Sequence, residues 1–213
     1  MCGRFSLILG PEALQVAFPG FEIPADLRPR YNIAPTQSIA AIANTDARRV
    51  EFFRWGLVPP WATDLTIGNR MINARAETLA EKPAFRAAYR QRRCLILADG
   101  FYEWRAESGT RTKTPYRFTL ASEEPFAFAG LWEVWRLPTG EPVTSCTIIT
   151  TEPNALVLPI HNRMPVILPP AAYALWLTPT AISPEQLQPW LKPYAAEQMT
   201  MQPVDNLKPD QYH

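Results

Sequence analysis

Arg93-Cys94-Leu95-Ile96-Leu97-Ala98-Asp99-Gly100-Phe101-Tyr102-Glu103-Trp104 is the stretch on which the fold class turns. Its body, Cys94–Trp104, is a run of aliphatic and aromatic side chains that suits an extended, buried chain. Similar runs recur on both sides of it, at Ser38–Ala43, Val50–Leu57, Pro115–Leu120, Phe126–Trp135, Thr144–Thr151, Met164–Leu168 and Met199–Val204, bounded by Pro, Gly or Asn. Helix-like pieces are fewer. They are Pro11–Phe18, Glu77–Leu79 leading through Pro83 into Ala84–Tyr89, Pro170–Leu177, and Pro184–Leu191 with Ser183 as N-cap before Pro184. The polar segment Glu107–Lys113 reads as the loop of a hairpin. Twenty-three prolines spread over the chain favour many short elements and exclude a helical bundle. The expected architecture is α+β, with a curved, barrel-like, mainly antiparallel sheet as core and helices at the periphery.

The 213 residues suffice for one domain with a full hydrophobic core, and no repeat or Gly/Ser-rich linker divides them. A single domain over 1–213 is expected, with Lys208–His213 as a loose tail. Apolar residues at 47% against 19% charged exclude global disorder. No apolar run approaches the roughly 18 residues of a membrane span, and the first residues lack a basic-then-apolar leader, so a soluble, cytoplasmic monomer is the default. Cys2, Cys94 and Cys146 are too few and too widely spaced for a disulfide framework or a zinc site. Cys94 and Cys146 sit in strand-like runs where a buried, reduced thiol is ordinary packing. Net charge is only +1, but it is unevenly placed. Residues 1–120 hold 17 Lys+Arg against 11 Asp+Glu, while 121–213 hold 4 against 9. The cluster Arg70, Arg75, Lys82, Arg86, Arg90, Arg92 and Arg93 offers a basic face for phosphates or, equally, a solvated helix side.

Several residues carry candidate chemistry. Met1-Cys2-Gly3 would, after loss of Met1, leave Cys2 as a 1,2-aminothiol, able to condense with an aldehyde or attack an acyl carbon. His161 lies in the proline-bracketed turn Leu158-Pro159-Ile160-His161-Asn162-Arg163-Met164-Pro165, where imidazole can move protons near neutrality. If Glu103 faces the inside of the sheet, desolvation raises its pKa and suits it to acid/base work; facing outward, it is an ordinary strand residue. Asn73 and Arg75 share a face if Met71–Glu77 is extended, and could orient a reacting group and hold a phosphate, or simply cap the next helix. Trp55-Gly56-Leu57-Val58-Pro59-Pro60-Trp61 and Tyr31-Asn32-Ile33-Ala34-Pro35 read as proline-fixed loops whose rings could stack on bases, or as core.

The order of these motifs is specific. Together with Met1-Cys2-Gly3-Arg4-Phe5, Arg30–Gln37, Asn73-Ala74-Arg75-Ala76-Glu77-Thr78 and Phe128-Ala129-Gly130-Leu131-Trp132, they closely resemble the SOS response-associated peptidase (SRAP) family of abasic-site processing proteins, from Met1 to about Leu168. The resemblance implies binding of single-stranded DNA and 3′ junctions, capture of abasic sites through a thiazolidine DNA-protein crosslink, and no metal or organic cofactor. It assigns Cys2 as the crosslinking nucleophile, Asn73 as a positioning amide, Glu103 as the acidic residue and His161 as the acid/base. It sets Arg4, Arg75 and Arg163 near the DNA backbone and Pro35 and Trp61 on the DNA-facing surface, to which the basic cluster adds Arg86. It also implies lyase-like chemistry, a self-processing peptidase step at Met1, and association with the nucleoid in a bacterium. Two rivals stand beside it: an N-terminal-nucleophile amidohydrolase, which also begins Met-Cys-Gly, and a non-catalytic reader of single-stranded or modified DNA.

Overall fold

Asp99 and Gly100 divide the deciding stretch into two strands that serve different sheets, where the sequence suggests one continuous element. The computed structural model describes residues 2–106, 112–205 and 207; the expected tail at 208–213 and most of the hairpin loop, 107–111, lie outside them. The chain runs β1 (Phe5–Leu7), α1 (Pro11–Ala17), β2 (Arg30–Ile33), β3 (Ser38–Ala43), β4 (Glu51–Trp55), a 3-10 segment (Leu65–Arg70), β5 (Asn73–Arg75) and a 3-10 turn (Ala76–Thr78). It continues with α2 (Arg86–Gln91), β6 (Arg93–Ala98), β7 (Gly100–Ala106), β8 (Lys113–Leu120), β9 (Phe126–Arg136), β10 (Pro142–Thr151), β11 (Met164–Pro165) and β12 (Ile167–Leu168). Last come α3 (Pro170–Trp176), α4 (Pro184–Leu187), 3-10 turns at Gln188–Trp190 and Ala196–Gln198, and β13 (Met199–Pro203). Every strand-like run contains strand, two of them divided: Cys94–Trp104 between β6 and β7, and Met164–Leu168 between β11 and β12. The short β1, β2 and β5 are additions, and β2 takes most of the segment expected as the loop Tyr31–Pro35.

Five strands close a ring. β10 pairs with β4, β4 with β3, β3 with β6, β6 with β9, and β9 returns to β10; only the β4–β10 pairing is parallel. Closure gives each of these strands a partner on both sides, so the core is barrel-like, as expected. The seam lies at Gly130 and Leu131, which pair with Cys94 and Arg93 on one side and with Ile148 and Thr147 on the other. A Cβ on Gly130 would stand 2.7 Å from Ile96 Cδ1 and 2.8 Å from Cys94 Sγ, so any larger residue would push these buried side chains aside.

A second, fully antiparallel sheet, in the order β13-β8-β7-β1-β2, packs beside the ring. The register Ala106↔Lys113 makes β7 and β8 the expected hairpin. Phe5 on β1 meets the ring edge-on through Trp55 (5.2 Å between ring centres) and Phe128 (5.6 Å), and Phe101 stacks on Phe118 at 4.9 Å. One continuous cluster of buried side chains therefore spans both sheets.

Arg93 corrects the reading of the basic cluster. It is fully buried at the first position of β6. Its Nε donates to the Trp176 carbonyl (2.9 Å), its Nη1 to those of Tyr89 (3.3 Å) and Arg90, and its Nη2 to those of Thr178 (2.7 Å) and Thr180 (3.2 Å). Those carbonyls close the C-terminal ends of α2 and α3, where the helix dipole favours a cation. Burial lowers the Arg93 pKa to about 10, so the guanidinium stays charged at neutral pH. Arg92 is likewise engaged, donating to the buried Glu133 at 2.6 Å. Arg70, Arg75, Lys82, Arg86 and Arg90 remain exposed.

Candidate active site around Cys2

The first residues of the chain are held by Asp99. This carboxylate, buried at the end of β6, accepts from Ser6 Oγ (2.7 Å), the Leu9 amide (2.8 Å), the Ile8 amide and Arg117 Nη2 (2.9 Å). β1 is thereby tied to β7 in the register Phe5↔Phe101, and the Tyr102 amide donates to the Arg4 carbonyl at 2.9 Å, extending the pairing toward Cys2. Cys2 itself is fully buried, as deeply as Cys94 and Cys146, which its place outside any strand-like run does not suggest. Its thiol donates to the Arg4 carbonyl at 3.9 Å.

Glu103 lies on the buried stretch of β7 and is only 3% exposed, the inward alternative of the two the sequence leaves open. Burial pushes its carboxyl up to about 7, so it exchanges a proton at physiological pH. Burial also pushes the Cys2 thiol well above its ordinary range, and the nearby Glu103 charge adds to the effect. The two groups form a neighbouring acid pair in which the carboxyl ionises first.

A stability prediction arises from Glu103. Below its ordinary value of 4.5 the carboxyl is protonated folded or unfolded, and stability is greatest. As pH rises toward 7 the unfolded form ionises first and stability is lost, by roughly 3 kcal/mol once both forms are ionised. Urea midpoints of wild type and Glu103→Gln measured from pH 4.5 to 8 are expected to diverge, with wild type losing stability relative to the variant. Parallel curves would show that Glu103 is not held in this environment.

A second group of candidates gathers along β10. β5 runs parallel to it in the register Asn73↔Ile148 and Arg75↔Thr150, while β11 pairs antiparallel with Thr151↔Met164. The Ile72 carbonyl receives both Asn73 Nδ2 (2.8 Å) and Trp55 Nε1 (2.9 Å), and Trp55 packs on Phe5. This chain of contacts links Asn73 to β1, the strand that follows Cys2. Asn73 Oδ1 is buried without a hydrogen bond among the described residues, leaving an acceptor for a ligand. The turn before β11 carries His161, whose Nδ1 receives the Arg163 amide at 3.0 Å. Partial burial lowers the His161 pKa, so the neutral ring prevails at neutral pH.

The candidate DNA contacts divide into three kinds. Arg75 is exposed beside Asn73, and Arg4 lies next to Cys2 with its Nη1 on Asn32 Oδ1 at 3.0 Å. Trp61 stands 58% exposed beside a turn tied down by Trp135 Nε1 on the Ala62 carbonyl (2.8 Å), and Pro35 is half-buried; Trp55, from the same motif as Trp61, is wholly buried and displays no ring. Arg163 is not an idle cation, because Glu77 holds it at 2.6 Å. Arg86 belongs to α2, which packs on β6 and β9 rather than on β1. Asp99 and Glu77 are supports that motif reading passes over. The strand break at Asp99-Gly100 is the signal for the first; nothing local signals the second, whose partner is 86 residues away. Among the described residues no cluster of three or more His, Cys, Asp or Glu could hold a metal ion, and no helix is long and apolar enough to cross a membrane.

A closed ring of strands, with the N-terminal segment docked into the core through a second sheet, makes this an α+β protein whose first residues are part of its core. Residues 1–207 match the SOS response associated peptidase (SRAP) family, and the chain belongs to it. It is 47% identical over 210 residues to the abasic site processing protein YoqW of Bacillus subtilis, covering 97% of this chain and 93% of that one. It is 29% identical to the abasic site processing protein HMCES of Rattus norvegicus, covering 96% of this chain and 71% of the relative. A crystal structure of a protein from Bacteroides thetaiotaomicron superposes with a TM-score of 0.86 at 31% identity, covering 96% and 93% of the two chains.

Proposed function

We propose that this protein processes abasic sites in single-stranded DNA by bonding covalently to them through Cys2 once Met1 is removed. The observation that carries the reading is the buried neighbourhood of Cys2, ahead of β1, and Glu103 on β7, with a carboxyl that titrates near 7. Relatives named abasic site processing proteins support the abasic site as the target.

The chemistry balances with the groups at hand. The open-chain deoxyribose presents an aldehyde, and the neutral α-amine of Cys2 adds to its carbon to give a carbinolamine. Protonation of that hydroxyl releases water and leaves an iminium, a step for which protonated Glu103 serves as the acid. The thiol then adds to the iminium carbon, its proton passes to the Glu103 carboxylate, and the five-membered thiazolidine closes. Burial keeps the thiol protonated until that step, so a base beside it is needed. Because sulfur and amine belong to one residue, closure is intramolecular and outruns hydrolysis of the imine. His161 serves the proton transfers that open the sugar, Asn73 Oδ1 orients the reacting centre, and Arg4, Arg75 and the ring of Trp61 hold the strand.

The deciding experiment incubates purified protein with a single-stranded oligonucleotide bearing one abasic site. A denaturing gel after heating is expected to reveal a slow band, and mass spectrometry an adduct on Cys2 with Met1 absent. No heat-stable band, or an adduct on another residue, would overturn the reading.

A further inference from the structure

Glu77 sits at the 3-10 turn after β5, half exposed, and has no part in the chemistry above. It nevertheless grips Arg163 with both oxygens, Oε1 receiving Nη1 at 2.6 Å and Oε2 receiving Nη2 at 3.0 Å. Such a fork fixes orientation as well as distance. Nη2 also donates to the Thr150 carbonyl at 2.6 Å, so the guanidinium is pinned between the 3-10 turn and β10. Hydrogen bonds from Arg163 hold the Glu77 carboxyl below its usual range, and the pair is charged throughout neutral pH. Meanwhile Arg163 Nε is buried without a partner among the described residues, a cost that a partly exposed ion pair, worth about 0–1 kcal/mol, does not justify by stability alone.

The clamp fixes the Arg163 guanidinium, and the backbone of the same residue addresses one atom of His161. The Arg163 amide lies 3.0 Å from Nδ1 and the Arg163 carbonyl 3.1 Å from the same nitrogen. An amide can only donate and a carbonyl can only accept, so the amide contact favours the neutral form with Nδ1 accepting and the proton on Nε2, and the carbonyl contact favours the form with Nδ1–H; Nδ1 has a partner in either. When the ring gains a proton, Nδ1–H has the carbonyl at hand. The imidazole is thus gripped in both charge states without turning.

We propose that Glu77 is a positioning residue, which acts through Arg163 to hold His161 with Nδ1 occupied and Nε2 as the nitrogen that exchanges protons with the sugar. The part concerning the sugar rests on the proposed function; the part concerning the tautomer stands without it. A consequence is that a DNA phosphate reaching Arg163 competes with Glu77 and loosens the His161 ring, so Arg163 serves the imidazole before it serves the backbone of DNA.

The test reads the imidazole directly. Long-range proton–nitrogen NMR spectra of the DNA-free protein, with His161 assigned by its loss in His161→Gln, are expected to give an unprotonated Nδ1 and a protonated Nε2 in wild type. In Glu77→Ala the two nitrogen shifts should move toward each other as tautomers mix, and Glu77→Asp should restore part of the difference. General acid–base help is worth about 10²–10⁴-fold, and a present but misaligned ring forfeits part of it, so single-turnover adduct formation in Glu77→Ala should slow roughly tenfold. Affinity for an undamaged oligonucleotide should not fall, since Arg163 then meets phosphate without a competitor. A wild-type tautomer pattern in Glu77→Ala, or a change in melting temperature alone, would overturn the proposal. A shifted tautomer in a protein whose wild type forms no adduct would uphold the positioning role and remove the proposed function instead.

Discussion

Cys2→Ala is expected to lower the yield of heat-stable adduct on abasic single-stranded DNA by about 10²-fold or more, because ring closure draws on an intramolecular advantage that alanine cannot supply. The variant keeps the α-amine, so the imine still forms. It also still hydrolyses, because nothing traps it. Borohydride reduction should therefore rescue a band in the alanine variant that heating alone destroys. Cys2→Ser keeps an amine and adds a hydroxyl, which is a poorer nucleophile and closes a more labile ring, so its adduct should fall between the two. The side chain is wholly buried but small, and its loss costs on the order of 1 kcal/mol, which leaves the protein folded and the comparison fair. Equal heat-stable adduct from wild type and Cys2→Ala would remove sulfur from the mechanism.

Asp99→Ala is the substitution with the largest expected effect on stability. One buried carboxylate satisfies the Ile8 and Leu9 amides, the Ser6 hydroxyl and the Arg117 guanidinium. Removing it leaves a partly buried cation and two amides without acceptors, a loss of about 3–5 kcal/mol. At about 2–4 °C per kcal/mol for a protein of this size, the melting temperature should drop by roughly 10 °C. Asp99→Asn keeps one acceptor and the shape but not the charge, and should lie between. Since Asp99 anchors β1, the alanine variant should also lose amide protection at residues 4–9 before the ring strands lose theirs, as read by hydrogen exchange. An unchanged melting temperature would mean that Asp99 does not hold the N-terminal segment.

Four of the five ring strands were legible because each is buried along most of its length, β4 being the exception with Phe52 exposed. β3, β6, β9 and β10 show long runs of buried residues, and such strands announce themselves as unbroken apolar runs. β1, β2 and β5 are three or four residues long, too short for periodicity to register, and exist because longer strands offer them partners. Trp55 and Trp61 illustrate the same limit at the site. They stand six residues apart in one motif, yet the first is core and the second is displayed, a distinction carried by packing alone. Arg93 and Arg86 differ in the same way: identical in the count of charge, one caps two helices from inside and the other faces water.

By itself the sequence determined the α+β class, the run of strands, and the family, since these depend on local composition and on the order of motifs along the chain. Only the tertiary structure decided that Asp99-Gly100 is a switch between sheets, that Cys2 is buried beside a Glu103 titrating near 7, and that Glu77 reaches His161 through Arg163. The reason is physical. Strand formation is encoded within a few consecutive residues, whereas desolvation and charge-assisted hydrogen bonds depend on groups brought together across the chain, Ser6 to Asp99 and Glu77 to Arg163, which closure of the ring and docking of β1 alone make neighbours.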